Sequence, residues 1–342
     1  MQPLVLLANP TSGLSAVAAA GAGKAARRRT LEAAAQDLSR RFAVELCIEN
    51  TSRAIEKRAC QAIRDGVQTV VAAGGDGTVN AVVNGLMQAQ MPLDDVRLGV
   101  LPMGTANVLA YNLHIPREWR AACKIIRKGH TRKIDVGLAV AQSHDRSKIK
   151  SAPAKSTRAS SLVSRYFLLM AGIGYDAKVI EDTSLRLKYV LRDFAYVLKT
   201  LENVVRHQGT QITLQLDGKT TYANIAWLVM VGNAAAYAWK IKVTPHARLD
   251  DGLLDVCLMP FENKIISVQQ ALQVLTGQHI ERGIAQYWQV ESLRVESSPN
   301  VPIQLDGDEW ADTPVELSIL PGAISILAPP ENDVPAPLLP GS

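Results

Sequence analysis

The chain opens with a short apolar run, Leu4 to Ala8, that stops abruptly at Asn9-Pro10. An apolar run bounded by breakers reads as a buried parallel strand. Comparable runs at 43–48, 67–73 and 98–101 alternate with helically spaced segments at 26–41, 53–65, 79–87 and onward from Asn107. Regular strand–loop–helix alternation predicts an α/β domain, a parallel sheet with helices on both faces. After about residue 133 the pattern changes, with strand-like runs at 134–140, 166–171, 211–216, 223–232, 253–259, 288–295 and 315–327. These predict a second, mostly antiparallel domain of β-sandwich type. Helical stripes at 184–205 and 264–275 interrupt it. The expected division is therefore 1–133 and 134–317, with a C-terminal strand near 318–328 available to complete the first sheet. The polar insert 143–161 is expected to be a mobile loop and the proline-rich tail 329–342 to be disordered.

The most informative local pattern is the strand Val70 to Ala73 running into Gly74-Gly75-Asp76-Gly77-Thr78-Val79-Asn80. Glycine tolerates backbone angles closed to other residues and lets a ligand approach the main chain. Successive backbone N–H groups in such a turn, backed by a helix N-terminus, favour an anion. Thr78 is placed either to cap that helix or to donate to a phosphate. Two better-known phosphate loops are absent. Gly21-Ala22-Gly23-Lys24 lacks the first glycine and the Ser/Thr of a Walker loop, and Asn80 stands where a dinucleotide fingerprint needs its third glycine.

Two further polar loops end neighbouring strands: Asn9-Pro10-Thr11-Ser12-Gly13 after the first and Pro102-Met103-Gly104-Thr105-Ala106-Asn107 after the fourth. Parallel strands bring such loops to one carboxyl edge, where open α/β sheets bind ligands. Thr51, after the second strand, belongs to the same edge. Together these loops describe a nucleotide crevice.

Composition narrows the function classes. Four scattered cysteines, with no C-x-x-C pair and no cysteine–histidine cluster, argue against a zinc site or a disulfide framework and fit a reducing, cytoplasmic compartment. No 18-residue apolar run is present, so a spanning helix is not expected. The net charge of +5 suits nucleic acid, an anionic membrane surface or an anionic nucleotide. A nucleic-acid partner is not expected.

The motifs N-P-T-S-G at 9–13, G-G-D-G-T-V-N at 74–80 and P-M-G-T-A-N-V-L-A at 102–110 resemble those of the diacylglycerol kinase catalytic family, which includes bacterial lipid kinases and the sphingosine and ceramide kinases. A-G-I-G-Y-D-A at 171–177, P-H-A-R-L-D-D-G-L-L-D-V at 245–256 and L-D-G-D at 305–308 continue the likeness in the same order. The fold this implies is an α/β domain like those of NAD kinases and phosphofructokinases, followed by the β domain. The activity it implies is transfer of the ATP γ-phosphate to the hydroxyl of a lipid alcohol, with transient contact at the membrane surface.

Carried over residue by residue, the resemblance implies ATP contacts at Asn9, Pro10, Thr11, Ser12, Gly13, Thr51, Gly74, Gly75, Asp76, Gly77, Thr78, Val79, Asn80 and Thr105. It implies a Mg²⁺ ion on the turn 248–253, with a carboxylate from Asp251 and backbone carbonyls from Arg248 and Leu253. Asp76 is expected to hold a catalytic Mg²⁺ or orient the nucleophile. The family's C-terminal motif usually reads D-G-E, its glutamate acting as proton acceptor; here Asp306-Gly307-Asp308-Glu309 puts an aspartate in that place. The expected base is Asp308, then Asp306, then Glu309. Gly172 to Asp176 and the stripe 184–205 are expected beside the acceptor. Two other classes stay open: a catalytically impaired lipid- or nucleotide-binding relative, and a soluble-metabolite kinase of the NAD kinase type.

Overall fold

The structure is a computed structural model that describes residues 1–10, 22–142, 162–174, 209–236 and 241–330. Thr11, Ser12, Gly13, Tyr175, Asp176, the insert 143–161, the stripe 184–205 and the tail from 331 lie outside the described residues. The chain divides into two compact units, Met1–Val136 with Pro321–Ser342, and Gly137–Leu320.

The first unit is α/β. Its strands are β1 (Gln2–Ala8), β2 (Phe42–Ile48), β3 (Thr69–Gly74) and β4 (Arg97–Pro102). They lie in the order β2-β1-β3-β4, all parallel, and Ser325 and Ile326 add a further parallel strand beside β4. β3 is buried throughout and β1 and β4 nearly so, as expected for strands covered on both faces. The helices are α1 (Ala22–Leu38), α2 (Ser52–Arg64), α3 (Asp76–Gln88), α4 (Val108–Asn112) and α5 (Trp119–Lys128). The apolar spacing of Ile55, Ala59, Ala62 and Ile63 gives α2 one buried face. α2 and α3 pack so closely that a Cβ on Gly85 would lie 2.2 Å from the Glu56 carbonyl oxygen and 2.7 Å from Ala59 Cβ.

α5 is an element the sequence pattern does not single out. The Glu118 carboxylate accepts from the Ala121 N–H at its start, and Gly129 closes it with φ of 80°. Ala122, Cys123 and Ile126 form its buried face. The run expected from Asn107 is the five-residue α4 alone.

The second unit is antiparallel. β5 (Thr131–Gln142) enters it and pairs with β6 (Leu162–Phe167). The long strand β9 (Thr220–Gly232) pairs with β7 (Met170–Gly174), β8 (Thr210–Leu216) and β10 (Leu254–Pro260). β11 (Gln286–Val290) borders β10, and β12 (Ser292–Ser298) joins β8 to residues 315–318 of β15 (Val315–Leu327). β13 (Pro302–Leu305) and β14 (Asp308–Asp312) form a hairpin against β7. The run 166–171, which reads as one strand, is a corner between β6 and β7, and 288–295 is likewise two strands. Phe167, Ile173, Leu214, Val229, Val256 and Leu305 lie in one buried core. α6 (Lys264–Thr276) is fastened to β9 by the Trp227 indole N–H, which donates to Gln270 Oε1 at 2.6 Å.

The tightness at Gly85 generates a test in the first unit. Gly85→Ala forces the two helices apart and is expected to cost about 1–3 kcal/mol, despite alanine's better helix propensity. Urea unfolding checks it; a variant as stable as the parent would show that α2 and α3 can yield there.

Candidate active site

The donor-side loops lie within the first unit. Ala8 at the end of β1 pairs with Ala73, and Gly74 at the end of β3 pairs with Pro102. Beyond the strands the chains stay joined: Asn9 N–H donates to Ala73 O at 3.3 Å and Met103 N–H to Gly74 O at 2.8 Å. The loop after β4 then runs onto the glycine turn, where a Cβ on Gly104 would lie 2.3 Å from Gly75 Cα. Asn107 locks that loop from within. Its backbone takes the left-handed conformation (φ 54°), its Oδ1 accepts from Gly104 N–H at 2.8 Å, and its Nδ2 donates to Gly104 O at 2.9 Å.

The glycine turn itself departs from one expectation. None of Gly74, Gly75 and Gly77 has a positive φ. What Gly74 supplies is room, since a Cβ there would fall 2.2 Å from Thr78 Oγ1. Gly75 is the N-cap of α3 and makes no side-chain cap bond, so Thr78 is not the cap; its buried side chain is folded over Gly74. Gly77 is open, and a Cβ added there would meet nothing within 4 Å. Val79 and Asn80 are buried in α3, and Asn80 Oδ1 accepts from Asn84 Nδ2 at 3.0 Å.

Asp76, in the first turn of α3, reaches across to α4, where its Oδ1 accepts from Leu109 N–H at 3.1 Å. Burial pushes its carboxyl above the ordinary aspartate range, while backbone N–H groups of Leu109, Val108 and its own residue pull the other way. The charge therefore sits at the N-terminus of one helix and beside that of another. Thr105 is exposed on the loop, and Thr51 caps α2 by accepting from Ala54 N–H at 3.2 Å.

The acidic hairpin lies in the second unit. Asp306 and Gly307, with φ of 50° and 91°, make the two-residue turn between β13 and β14. Positive φ at both central positions is what a tight hairpin favours, and Asp-Gly is its sequence signal. The Asp306 carboxylate bends back to the corner between β6 and β7, accepting from Leu168 N–H at 2.8 Å, Leu169 N–H at 2.8 Å and Met170 N–H at 3.0 Å. It is thus committed to three backbone donors. Asp308 opens β14 with a side chain 60% exposed, and its Oδ2 lies 3.5 Å from an Arg165 guanidinium nitrogen on β6. Glu309 follows on the opposite face of the strand, since successive strand residues alternate. Asp308 and Glu309 cannot address one face together.

The turn 248–253 offers hard oxygen chemistry. Gly252 has φ of 73°, Asp251 Oδ1 accepts from Leu253 N–H at 3.2 Å, and Arg248 lies 3.4 Å from Asp250. Two residues on, Asp255 is fully buried. Its Oδ1 accepts from Tyr287 O–H at 2.6 Å and Gln289 Nε2 at 3.2 Å, while its Oδ2 is buried without a hydrogen-bond partner. Burial raises this carboxyl, and the nearby charge of Asp251 adds to the effect. A buried carboxylate oxygen lacking a donor, beside an acidic turn with a left-handed glycine, fits a bound cation. Among the described residues no three His, Cys, Asp or Glu side chains cluster as a metal site, so an ion there would depend on backbone carbonyls and water as well as Asp251. Burial pushes the Cys123 and Cys257 thiols up to about 12, leaving these two as protonated core atoms.

Parallel strands whose ends meet at one edge, with the glycine turn and the loop after β4 in contact, are followed by an antiparallel unit with an acidic hairpin. Residues 3–139 match the diacylglycerol kinase catalytic domain, and residues 170–328 match the YegS C-terminal NAD kinase beta sandwich-like domain. The chain thus carries a diacylglycerol kinase catalytic domain followed by a YegS-type C-terminal domain, and its homologues are of the diacylglycerol kinase family. It is 28% identical over 269 residues to a diacylglycerol kinase of Staphylococcus carnosus (strain TM300), covering 79% of each chain. It is 27% identical over 274 residues to one of Staphylococcus aureus (strain JH9), covering 80% of this chain and 78% of that one. A diacylglycerol kinase structure from Bacillus anthracis superposes with a TM-score of 0.67 at 19% identity, covering 96% of this chain and 97% of the other, and supports the fold.

Two experiments follow from the geometry. Asp306→Ala strands three backbone donors and is expected to cost about 3 kcal/mol or more, whereas Asp308→Ala should change stability by about 0.5 kcal/mol or less. Equal losses in denaturant titrations would contradict this separation. Mg²⁺ should raise the unfolding temperature of the parent and leave that of Asp251→Asn unmoved; an equal rise in both would dismiss the turn as an ion site.

Proposed function

We propose that the protein is an ATP- and Mg²⁺-dependent lipid kinase that transfers the ATP γ-phosphate to a hydroxyl of a lipid such as diacylglycerol. The observation that carries this reading is the backbone contact between Gly75 and Gly104, which presses two polar strand-end loops together beside the half-buried carboxylate of Asp76. The catalytic family and the interlocked loops support a nucleotide at Asn9 to Gly13, Thr51, Gly74 to Asn80 and Thr105. In the reaction, the lipid hydroxyl oxygen attacks the γ-phosphorus as the bond to the ADP oxygen breaks. The hydroxyl proton passes to a carboxylate, leaving ADP and a phosphorylated lipid.

Asp308 is the favoured proton acceptor. Asp306 is engaged by three backbone N–H groups, and Glu309 lies on the other face of β14. A base must come within about 2.6–3.2 Å of the hydroxyl, and the exposed Asp308 side chain has the freedom to do so. Mg²⁺, when bound, supplies charge neutralisation on the phosphates. Asp76 would hold that ion, and Arg248, Asp251 and Leu253 would hold a second, structural one. Phosphoryl transfer relies on such positioning and charge more than on covalent chemistry. Among the described residues no helix is long and apolar enough to cross a membrane, and the net charge of +5 favours anionic surfaces. The protein would meet its lipid as a peripheral visitor to the cytoplasmic leaflet.

The test is labelled ATP with Mg²⁺ and a panel of lipid alcohols, followed by identification of the labelled product. Asp76→Asn and Asp308→Asn are each expected to lower turnover by about 100-fold or more. Full turnover in Asp76→Asn would sink the mechanism. No labelled lipid from the parent protein would favour a non-catalytic binding role.

A further inference from the structure

Three consecutive carbonyls of the loop after β4 are gripped by arginines from two different elements. Arg27, on α1, donates to Met103 O. Arg117, just before α5, donates to Thr105 O at 3.0 Å and reaches Gly104 O at 3.4 Å. The same loop is held against the glycine turn, by Met103 N–H on Gly74 and by the Gly104 backbone on Gly75. Two guanidinium charges therefore lie one peptide's depth from the turn that is the candidate phosphate site.

Several neighbouring arginines are ion-paired, though Arg41, like these two, donates to a backbone carbonyl, that of Arg127. Arg28 pairs with Glu32, Arg40 and Arg127 with Asp37, and Arg120 with Glu118. Among the described residues no carboxylate lies within ion-pair distance of Arg27 or Arg117. Glu118, next in the chain, is occupied at the N-terminus of α5. Arg27 is half-buried, and that burial disfavours its charge. As a partly desolvated cation on a neutral carbonyl, Arg27 is incompletely compensated, and an anion placed nearby would supply the missing charge; Arg117 is exposed and contributes its charge from the solvent side of the loop. Guanidinium suits this double task, because its planar fork can hold carbonyls on one edge while its charge acts on a phosphate beyond.

We propose that Arg27 and Arg117 are positioning residues of the nucleotide site that hold the 103–105 loop in place and add fixed positive charge, so that affinity rises with the number of phosphates on the ligand. The inference rests on the kinase reading above and goes further by assigning the polyphosphate preference to two residues outside the family's motifs. Charge interactions grow with ligand charge, whereas a purely mechanical brace would affect every adenine ligand alike.

The experiment is calorimetric binding of ATP, ADP, AMP and inorganic tripolyphosphate to the full chain, to Arg27→Gln and Arg117→Gln, and to Arg117→Lys as a charge-retaining control that stays folded if the loop needs a cation. Glutamine at either position is expected to weaken ATP about tenfold, ADP less and AMP least, with tripolyphosphate following ATP. Arg117→Lys should keep the graded order. Equal weakening of all four ligands, or none, would overturn the proposal. A parent chain that binds tripolyphosphate in the same graded way but no adenine nucleotide would instead fail the kinase reading while leaving the arginine assignment standing. A parent that binds neither would remove both.

Discussion

Everything on the donor side depends on two backbones being allowed to touch. Gly104 and Gly75 approach so closely that a single methyl group on Gly104 would separate them, and the hydrogen bond from Met103 to Gly74 fixes the approach in register. The contact turns two separate strand ends into one rigid surface. It also sets where Asp76 must lie, because the aspartate accepts from the first N–H groups of the helix that leaves the same loop. An acidic group held by two helix starts keeps its orientation at the expense of solvation.

The order of the first unit was legible because buried parallel strands end at sharp breakers. Asn9-Pro10, Gly74-Gly75 and Pro102-Met103-Gly104 announce their own strand ends, and the parallel register then brings them to one edge. The reason for the glycines was less legible. Composition pointed to unusual backbone angles, but the turn needs space for Thr78 and for a neighbouring loop, and the left-handed residue beside it is Asn107. Short elements are hidden where local pattern is weak. α5 has only three buried positions, and the β13–β14 hairpin is signalled chiefly by Asp306-Gly307, where the carboxylate suggests chemistry before turn geometry.

Contacts far apart in sequence were the least legible. Nothing near Arg27 indicates that its partner is the carbonyl of Met103, 76 positions later. Likewise, Asp306 answers three N–H groups that arise 136 to 138 positions earlier, at a corner the sequence presents as one unbroken strand. Buried backbone donors must find acceptors, and that requirement claims an aspartate that the motif ranks second, after Asp308, for proton transfer. Motif alone ranks Asp308, Asp306 and Glu309; the strand's alternation and the corner's need for acceptors supply physical grounds for separating them.

The corner fastening also bears on how such a hairpin can change over time. Because Asp306 fastens the turn, the residue two places later is released from that architectural duty, and its length can vary while its Cα stays where the corner puts it. One methylene more at position 308, a glutamate in place of the aspartate, then alters reach without disturbing register. The hairpin is built as a fixed post with an exchangeable arm.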